Sequence, residues 1–302
     1  MDSAEYPQLP EIAGRVLYDQ LMSEFTSFRI GGPAGILAVA DDIDDLLALL
    51  AWADAHSVPV FILGAGTNIL VADKGIRGLV ISLGRGFGEV RIRGTKLTAG
   101  ASARISSIVR KAMGHQLIGL EGLTGVPGTV GGAVSMNAGT PVGSISDSLT
   151  GVKALDPHRR ILEIPAFELG LRYRGSDVRE RGLIILEARF ELRPEESGDQ
   201  ERIVKALSQT RKISQPAGIG TAGSVFKNPT GDFAGRLLEE AGAKGMQVGG
   251  ARVSGRHANW IENTGVATAA DVRELVARLQ TLVLDRFGVG LECEIEFVGE
   301  WD

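Results

Sequence analysis

Two glycine-rich segments in the first half of the chain constrain the fold more than any other feature of this sequence. The first is LGAGTNIL, at residues 63–70, and it follows an apolar run at 60–63. It differs from the dinucleotide-binding fingerprint because Ile69 stands where a third glycine is needed and because no helical pattern follows. It also lacks the Gly-Lys-Ser/Thr of a P-loop. If it binds phosphate, we expect a loop that offers its backbone N–H groups rather than the end of a helix.

The second segment, GLEGLTGVPGTVGGAVSMNAG at 119–139, contains seven glycines and no lysine or arginine. Such a loop can simply make tight turns. Two loops of this kind can also face each other across a pyrophosphate, whose charges are then met by backbone amides. The chain holds 41 glycines in 302 residues, which suits close backbone approaches to a phosphate-bearing ligand.

The rest of the chain mixes helices and strands without a regular alternation, which predicts an α+β fold. Apolar residues recur at helical spacing in segments 42–55, 103–114, 201–212, 231–241 and 269–287. For the last of these, Thr268 is the expected N-cap and Gly288 the expected C-cap. Strands are predicted at 58–63, 78–83, 89–93, 96–100, 152–155, 160–164, 183–192, 259–262 and 291–297. A polar stretch at 193–200 is expected to join the middle of the chain to its last third.

Composition excludes several classes of function. The net charge is −5 with no basic block, so nucleic acid is not an expected partner. Cys293 is the single cysteine, so no intrachain disulfide can form, and the four histidines show no metal-ligand spacing; no metal is expected. The N-terminus lacks the pattern of a secretory signal and no apolar run reaches the ~18–20 residues of a membrane span, so we expect a cytoplasmic protein without a membrane partner.

Seven motifs, in order, resemble those of the UDP-N-acetylenolpyruvoylglucosamine reductase family. They are FTSFRIGGPA (25–34), LGAGTNIL (63–70), GLTGVPGTVGGAVSMNAG (122–139), LRYRGS (171–176), AGSVFKNP (222–229), VSGRHANWIEN (253–263) and LECEIEF (291–297). The resemblance runs from about residue 25 to residue 300. The first two-thirds is similar to the FAD-binding fold of the p-cresol methylhydroxylase and vanillyl-alcohol oxidase type. The short spacing from Arg174 to Ser224 resembles the subgroup that lacks a tyrosine-bearing substrate loop.

The resemblance implies three units and a specific reaction. The units are FAD-binding lobes at 1–84 and 85–200, and a substrate-binding domain at 201–302. NADPH would reduce a noncovalently bound FAD, which would then reduce UDP-N-acetylglucosamine-enolpyruvate to UDP-N-acetylmuramate for peptidoglycan synthesis, with hydride going to C3 and a proton to C2. NADPH and the UDP-sugar would use one site in turn. The sequence leaves the oligomeric state open, and we take a monomer as the expectation.

Three residues match the family's catalytic positions. Ser224 would donate the proton to C2, with Lys227 as a cation that could assist it; Arg174 would hold the substrate carboxylate; and Glu294, if protonated, would bind the developing enolate. From spacing alone, Ser224 could be a turn serine, Arg174 a surface residue and Glu294 part of a solvated strand face. Glu292 lies on the same face of the predicted strand, so only motif position favours Glu294 over it.

The resemblance also implies which residues bind ligands. Tyr173 and Asn228 would contact the substrate, although a buried core tyrosine is nearly as good an account of Tyr173, and His257 is taken as structural. The cofactor would contact the two glycine loops through Gly64, Ala65, Gly66, Thr67, Asn68, Thr124, Gly125, Pro127, Gly128, Thr129, Gly131, Gly132 and Ala133.

Two other classes of protein remain as alternatives. One is a flavin-dependent oxidase of the same superfamily, many of which attach FAD to a histidine in the first glycine loop; GAGTNIL has none, but a noncovalent oxidase stays open. The other is a non-catalytic nucleotide-binding protein. The sequence also departs from the family pattern, with Cys293 in place of a usual proline, Trp260 in place of a usual phenylalanine, and a glycine-rich run at 218–221 that could loosen the loop carrying Ser224.

Overall fold

The computed structural model describes residues 6–196, 198, 200–216, 218 and 220–302. The expected α+β class is observed. The helices are α1 (Ile43–Ala55), α2 (Ile105–Gly114), α3 (Val130–Ser135), α4 (Gln200–Ser214), α5 (Ala234–Glu240) and α6 (Ala269–Phe287). Within the described ranges, none of them is long and apolar enough to cross a bilayer.

The strands form several small sheets rather than one large one. In chain order they are β1 (Arg15–Leu21), β2 (Pro33–Ala40), β3 (Val60–Leu63), β4 (Ile69–Val71), β5 (Ile76–Leu83), β6 (Val90–Arg93), β7 (Lys96–Gly100), β8 (Leu117–Ile118), β9 (Gly139–Thr140), β10 (Gly143–Ser144), β11 (Leu149–Leu155), β12 (Ile161–Pro165), β13 (Ile184–Glu191), β14 (Arg193–Pro194), β15 (Gln247–Val248), β16 (Ala251–Val253), β17 (Ile261–Asn263) and β18 (Glu296–Val298).

The first glycine loop lies at the end of a four-stranded sheet with the order β1-β2-β5-β3. β2, β5 and β3 run parallel, and β1 adds to the edge in antiparallel orientation. Helix α1 packs on this sheet through Leu46 and Leu49, which are fully buried. The Asp42 side chain caps the helix by accepting from the N–H of Asp45. Because β3 ends at residue 63, the glycine loop emerges at its carboxyl end.

The second glycine segment packs, through α3, against a five-stranded antiparallel sheet with the order β12-β11-β13-β7-β6. Alternate residues of β13, such as Ala188 and Phe190, are buried and share one core with Ile105 and Ile108 of α2 and Val134 of α3. The loop is therefore anchored at both ends by buried apolar side chains.

The last third of the chain builds a core from α5, α6 and the three-stranded sheet β15-β16-β17, which Phe28, Ile30 and Leu70 of the first part complete. Helix α6 has the predicted bounds. Thr268 and Asp271 form a capping box at its start, and Gly288 is left-handed (φ 69°) at its end. Both predicted caps are confirmed.

The C-terminal strand returns to the first glycine loop. β18 pairs in parallel with β4, with Glu296 opposite Ile69. The side-chain amide of Asn68 also donates to the backbone carbonyl of Glu294 (2.9 Å). The first glycine loop and the segment carrying Glu294 are thus held side by side.

Several predicted elements differ from the structure. β1 and β2 were not predicted, and the strand expected at 291–297 is regular only from Glu296 to Val298. The second glycine segment was predicted as a loop throughout, but residues 130–135 of it form α3. The joining stretch 193–200 includes β14, which pairs with β8; its residues 197 and 199, like residues 1–5 of the N-terminus, lie outside the described part of the chain.

Candidate active site

The two glycine loops face each other, as the sequence predicted. A Cβ placed on Gly64 of the first loop would lie 3.1 Å from the hydroxyl oxygen of Thr129 in the second. A Cβ on Gly128 would lie 3.2 Å from the hydroxyl oxygen of Thr67. Larger residues at either glycine would fill the space between the loops.

Backbone donors are free in the first loop. The N–H groups of Ala65, Gly66 and Thr67 form no hydrogen bond with any residue that the structure describes. Gly66 is left-handed (φ 62°), and a Cβ there would lie only 2.1 Å from the carbonyl oxygen of Phe25. The loop therefore needs glycine to hold this conformation, and it leaves three consecutive amides for an anion.

The second loop offers fewer donors than a fully extended loop would. The N–H groups of Val130 and Gly131 bind the carbonyls of Ala103 and Ala101. Within the described residues, the unbound amides of this loop include those of Gly125, Gly128, Thr129 and Gly132. Gly131 lets the loop pack closely on its neighbour, because a Cβ there would lie 3.1 Å from the Cβ of Ala101.

A cavity of about 1740 Å³ connects these loops to the last third of the chain. Single drug-sized ligands occupy roughly 300–1,000 Å³, so this cavity has room for more than one ligand. Its lining includes all three predicted catalytic residues, Ser224, Arg174 and Glu294. Residues far apart in sequence are thus gathered at one place.

Arg174 stands at the tip of a tight turn. Arg172 and Gly175 exchange backbone hydrogen bonds across the turn, at 2.9 and 3.1 Å, and the amide of Asn137 donates to the carbonyl of Arg172. Arg174 itself has φ 53°, a left-handed conformation that is costly for a residue with a side chain. The turn places its guanidinium inside the cavity, where the side chain is only 15% exposed.

Arg174 and Glu294 form a nearly buried ion pair. The Nε atom of Arg174 lies 2.8 Å from Oε1 of Glu294, whose side chain is 12% exposed. The N–H is not aimed closely enough at that oxygen to make a hydrogen bond. Burial raises the pKa of Glu294 above its ordinary value, although the positive charges of Arg174 and Lys227 act in the opposite direction.

The structure distinguishes Glu294 from Glu292 by exposure and by ion-pair partner, which the sequence could not do. Lys227 pairs with Glu292, whose side chain is 74% exposed. The N–H groups of Glu294 and Ile295 both point to the carbonyl of Val225, at 2.7 and 3.4 Å, so the chain bulges at this point. The expectation that both glutamates lie in a regular strand was wrong, because Cys293 between them forms only an isolated bridge and the strand is regular only from Glu296.

The backbone that follows Ser224 is held by Asn259, to which the sequence assigned no role. Asn259 is 3% exposed; its side chain accepts from the N–H of Phe226 (2.9 Å) and donates to the carbonyl of Phe226 (2.8 Å). The carbonyl of Asn259 accepts from the N–H of Val225 (2.9 Å). Only the motif VSGRHANWIEN pointed to this residue, and it gave no role. Asn259 fixes the backbone directly after Ser224.

The glycine-rich run before Ser224 is hydrogen-bonded to other segments at Gly220 and Thr221. Gly220 accepts from the N–H of Asn263 (2.8 Å), and Thr221 exchanges hydrogen bonds with Ser27 at 3.0 and 2.7 Å. Residues 217 and 219 lie outside the described part of the chain. Gly220 and Thr221 are thus both tied to other segments of the chain, and the loosening of this loop stays a prediction.

The two predicted substrate residues lie together. The N–H of Asn228 donates to the hydroxyl of Tyr173 (3.3 Å), and the side-chain oxygen of Asn228 accepts from the N–H of Ala234. This leaves the NH₂ group of Asn228 for a ligand. Tyr173 is 55% exposed at the cavity, so the alternative of a buried core tyrosine was wrong.

His257 also lines the cavity. Burial lowers its pKa, and the charge of Lys244 lowers it further. Its Nδ1 accepts from the N–H of Asn259 (3.2 Å), which favours the neutral ring with its proton on Nε2. No group of His, Cys, Asp or Glu in the described ranges is arranged to hold a metal.

Comparison with known proteins agrees with this geometry. A family model described as FAD binding domain matches residues 34–164. A second, described as UDP-N-acetylenolpyruvoylglucosamine reductase, C-terminal domain, matches residues 215–298. The fold is thus the FAD-binding fold of the p-cresol methylhydroxylase and vanillyl-alcohol oxidase type with a C-terminal domain, and the class is that of an FAD-dependent oxidoreductase.

Whole-chain relatives narrow the class to one family. The reductase of Caldanaerobacter subterraneus subsp. tengcongensis is 43% identical over 290 residues, covering 95% of both chains. That of Desulforamulus reducens is 40% identical over 289 residues, covering 96% of this chain and 95% of its own. The crystal structure of the Thermus caldophilus reductase is 35% identical, with a TM-score of 0.82 over 95% of this chain and 100% of its own. The chain belongs to the UDP-N-acetylenolpyruvoylglucosamine reductase family.

Proposed function

We propose that this enzyme reduces UDP-N-acetylglucosamine-enolpyruvate to UDP-N-acetylmuramate, with NADPH as reductant and FAD as carrier, in peptidoglycan precursor synthesis. The observation that carries the proposal is the nearly buried Arg174–Glu294 pair, which lies in the same cavity as Ser224 and the two glycine loops. When bound, FAD would supply the two-electron chemistry that links NADPH to C3 of the enolpyruvyl group. Family membership favours this reduction over the oxidase and non-catalytic alternatives.

The glycine loops are the proposed FAD site. Free amides at Ala65, Gly66 and Thr67 face those of the second loop, and the interval between the loops is kept open by glycines. The residues that the resemblance proposes as FAD contacts therefore act in two ways. Some offer donors, and others, such as Gly64, offer room between the loops. Asn68 is partly committed, because its side-chain NH₂ holds the carbonyl of Glu294.

Arg174 would bind the carboxylate of the enolpyruvyl group. Its Nε faces Glu294, which leaves the terminal nitrogens for a ligand. A planar guanidinium can donate two parallel hydrogen bonds to a carboxylate. Because the turn already holds Arg174 in a left-handed conformation, little reorganisation is needed when the substrate arrives.

Glu294 would donate a hydrogen bond to the charge that develops beside C2. A carboxylic acid can do so only while it is protonated, and the raised pKa of Glu294 favours that form. Water is largely excluded from its side chain, which strengthens such a bond. Glu292 is poorly suited to this role because it is exposed and paired with Lys227.

Ser224 would deliver the proton to C2. The segment is fixed on one side by Asn259 and on the other by Glu294, whose N–H donates to the carbonyl of Val225. Lys227, proposed as a helper of Ser224, directs its ammonium to Glu292. Tyr173 and Asn228, at the exposed side of the cavity, would contact the nucleotide diphosphate.

Three further points extend the proposal. NADPH and the UDP-sugar would occupy the cavity in turn. The chain would be divided into lobes at 1–84 and 85–200 and a substrate domain at 201–302; the reductase-specific match at 215–298 supports the last of these units. We expect a monomer.

Separating the two half-reactions of Ser224→Ala by anaerobic stopped-flow absorbance tests the proposal. Flavin reduction by NADPH should stay close to the wild-type rate. Reoxidation of the reduced flavin by UDP-N-acetylglucosamine-enolpyruvate should slow by about 10²–10⁴-fold, the usual contribution of a general acid. Ser107→Ala, on the exposed face of α2, is the matched control. Equal loss in both half-reactions would count against the role of Ser224.

A further inference from the structure

Helix α4 brings an arginine to the second glycine loop. Arg211 lies on the face of α4 that lines the cavity, together with Leu207 and Ser214. A Cβ placed on Gly125 would lie 2.9 Å from both Cδ and Nε of Arg211. The loop carries no cation of its own, but a segment distant in sequence places one directly against it.

The charge of Arg211 has no partner in the described part of the chain. Arg174 is paired with Glu294 and Lys227 with Glu292, whereas Arg211 forms no ion pair with a described carboxylate. Burial lowers the pKa of Arg211, and the nearby positive charge of Arg174 lowers it further. Holding an unpaired guanidinium in a partly buried place is unfavourable unless an anion joins it.

A second unpaired group belongs to the neighbouring residue of the same loop. Thr124, the residue before Gly125, is 6% exposed, and its hydroxyl has no hydrogen-bond partner among the described residues. It lines the same cavity, and the N–H of Gly125 is also free. Buried hydroxyls almost always have a partner, so one left open beside a cation and an amide marks a place for an acceptor.

We propose that Arg211, Thr124 and the amide of Gly125 form an oxyanion-binding subsite that takes a phosphate or carboxylate oxygen of a ligand. This rests on the proposed function and deepens it. The same chemistry can come from two sources, the pyrophosphate of FAD or the anionic groups of the UDP-sugar substrate. The subsite adds a full positive charge where the sequence indicated backbone amides alone.

Charge removal at Arg211 tests the subsite. Arg211→Met keeps the length of the side chain without its charge, and Arg211→Lys restores a charge without the planar fork. Lys205→Met, on the exposed part of α4 outside the cavity lining, removes the same charge as a control. Two affinities are measured for each protein: that of the apoprotein for FAD, by quenching of flavin fluorescence, and that of the oxidised holoenzyme for UDP-N-acetylglucosamine-enolpyruvate, by the change in flavin absorbance.

Arg211→Met should weaken one of the two affinities by about 10- to 100-fold, which is the loss of a hydrogen bond to a charged group, and Arg211→Lys by less. Thr124→Val should weaken the same affinity by a smaller factor. A loss confined to FAD assigns the oxyanion to the cofactor, and one confined to the substrate assigns it to the UDP-sugar.

The inference fails if Arg211→Met and Thr124→Val bind both ligands as tightly as Lys205→Met. If the wild-type holoenzyme itself does not bind the UDP-sugar, the proposed function fails instead, and the FAD measurement still decides the cofactor source. Circular dichroism shows whether each variant is folded. If Arg211→Met is not folded, Arg211→Lys is compared with Lys205→Met in its place.

Discussion

Replacing Asn259 by alanine should both destabilise the protein and misplace Ser224. The Asn259 side chain is the hydrogen-bond partner of both backbone groups of Phe226, at 2.9 and 2.8 Å, and Phe226 is 1% exposed. Alanine leaves the N–H and the carbonyl of Phe226 buried without a partner. Each such group costs about 1–3 kcal/mol, so the expected loss is about 2–6 kcal/mol. That is a large part of the ~5–15 kcal/mol by which proteins are stable.

Urea denaturation followed by tryptophan fluorescence measures the first effect, and stopped-flow reoxidation of the flavin measures the second. Asn263→Ala is the control, because Asn263 is buried and holds the carbonyls of Phe28 and Arg29 but does not line the cavity. Both variants should lose stability, but only Asn259→Ala should also slow reoxidation. A loss of stability below about 1 kcal/mol for Asn259→Ala would refute the reasoning.

The remaining predictions concern pH and the C-terminal helix. Burial raises the pKa of Glu294, so above pH 4.5, the ordinary glutamate value, the unfolded chain releases a proton that the folded protein still keeps. The free energy of unfolding of the wild type should therefore fall relative to that of Glu294→Gln as pH rises above 4.5. Urea denaturation over a pH series checks this, and a difference that shifts in favour of the wild type with rising pH would contradict it. Leu279→Ala in α6, at a side chain 1% exposed, should cost about 2–5 kcal/mol, whereas Leu284→Ala, 52% exposed on the same helix, should change stability by less than about 0.5 kcal/mol. Equal effects of the two would mean that α6 does not pack as described.

Features set by neighbouring residues could be predicted from the sequence. The bounds of α6 follow from Thr268, Asp271 and Gly288, which act within a few residues of where they stand. The facing of the two glycine loops could also be anticipated, since both carry bare amides and small side chains. β2 was missed because it is a nearly continuous apolar run, buried on both faces, and such a run lacks the alternation that marks a half-buried strand.

Features set by contacts between distant segments could not be predicted. The choice between Glu292 and Glu294 depends on which of the two the fold buries beside Arg174, and no periodicity reveals that. Arg211 reaches Gly125 only because α4 lies across the cavity, and the helical pattern of α4 says nothing about where that face points. Asn259 acts through its hydrogen bonds to the backbone of Phe226, and these form only in the folded chain.

The most direct test of the whole account is anaerobic stopped-flow of the wild-type holoenzyme. We predict a yellow protein whose flavin is reduced by NADPH and then rapidly reoxidised by UDP-N-acetylglucosamine-enolpyruvate, with steady NADPH oxidation only when that substrate is present. A protein that takes up no FAD would contradict the account, as would a reduced flavin that ignores the UDP-sugar or an enzyme that rapidly consumes oxygen with a simple alcohol.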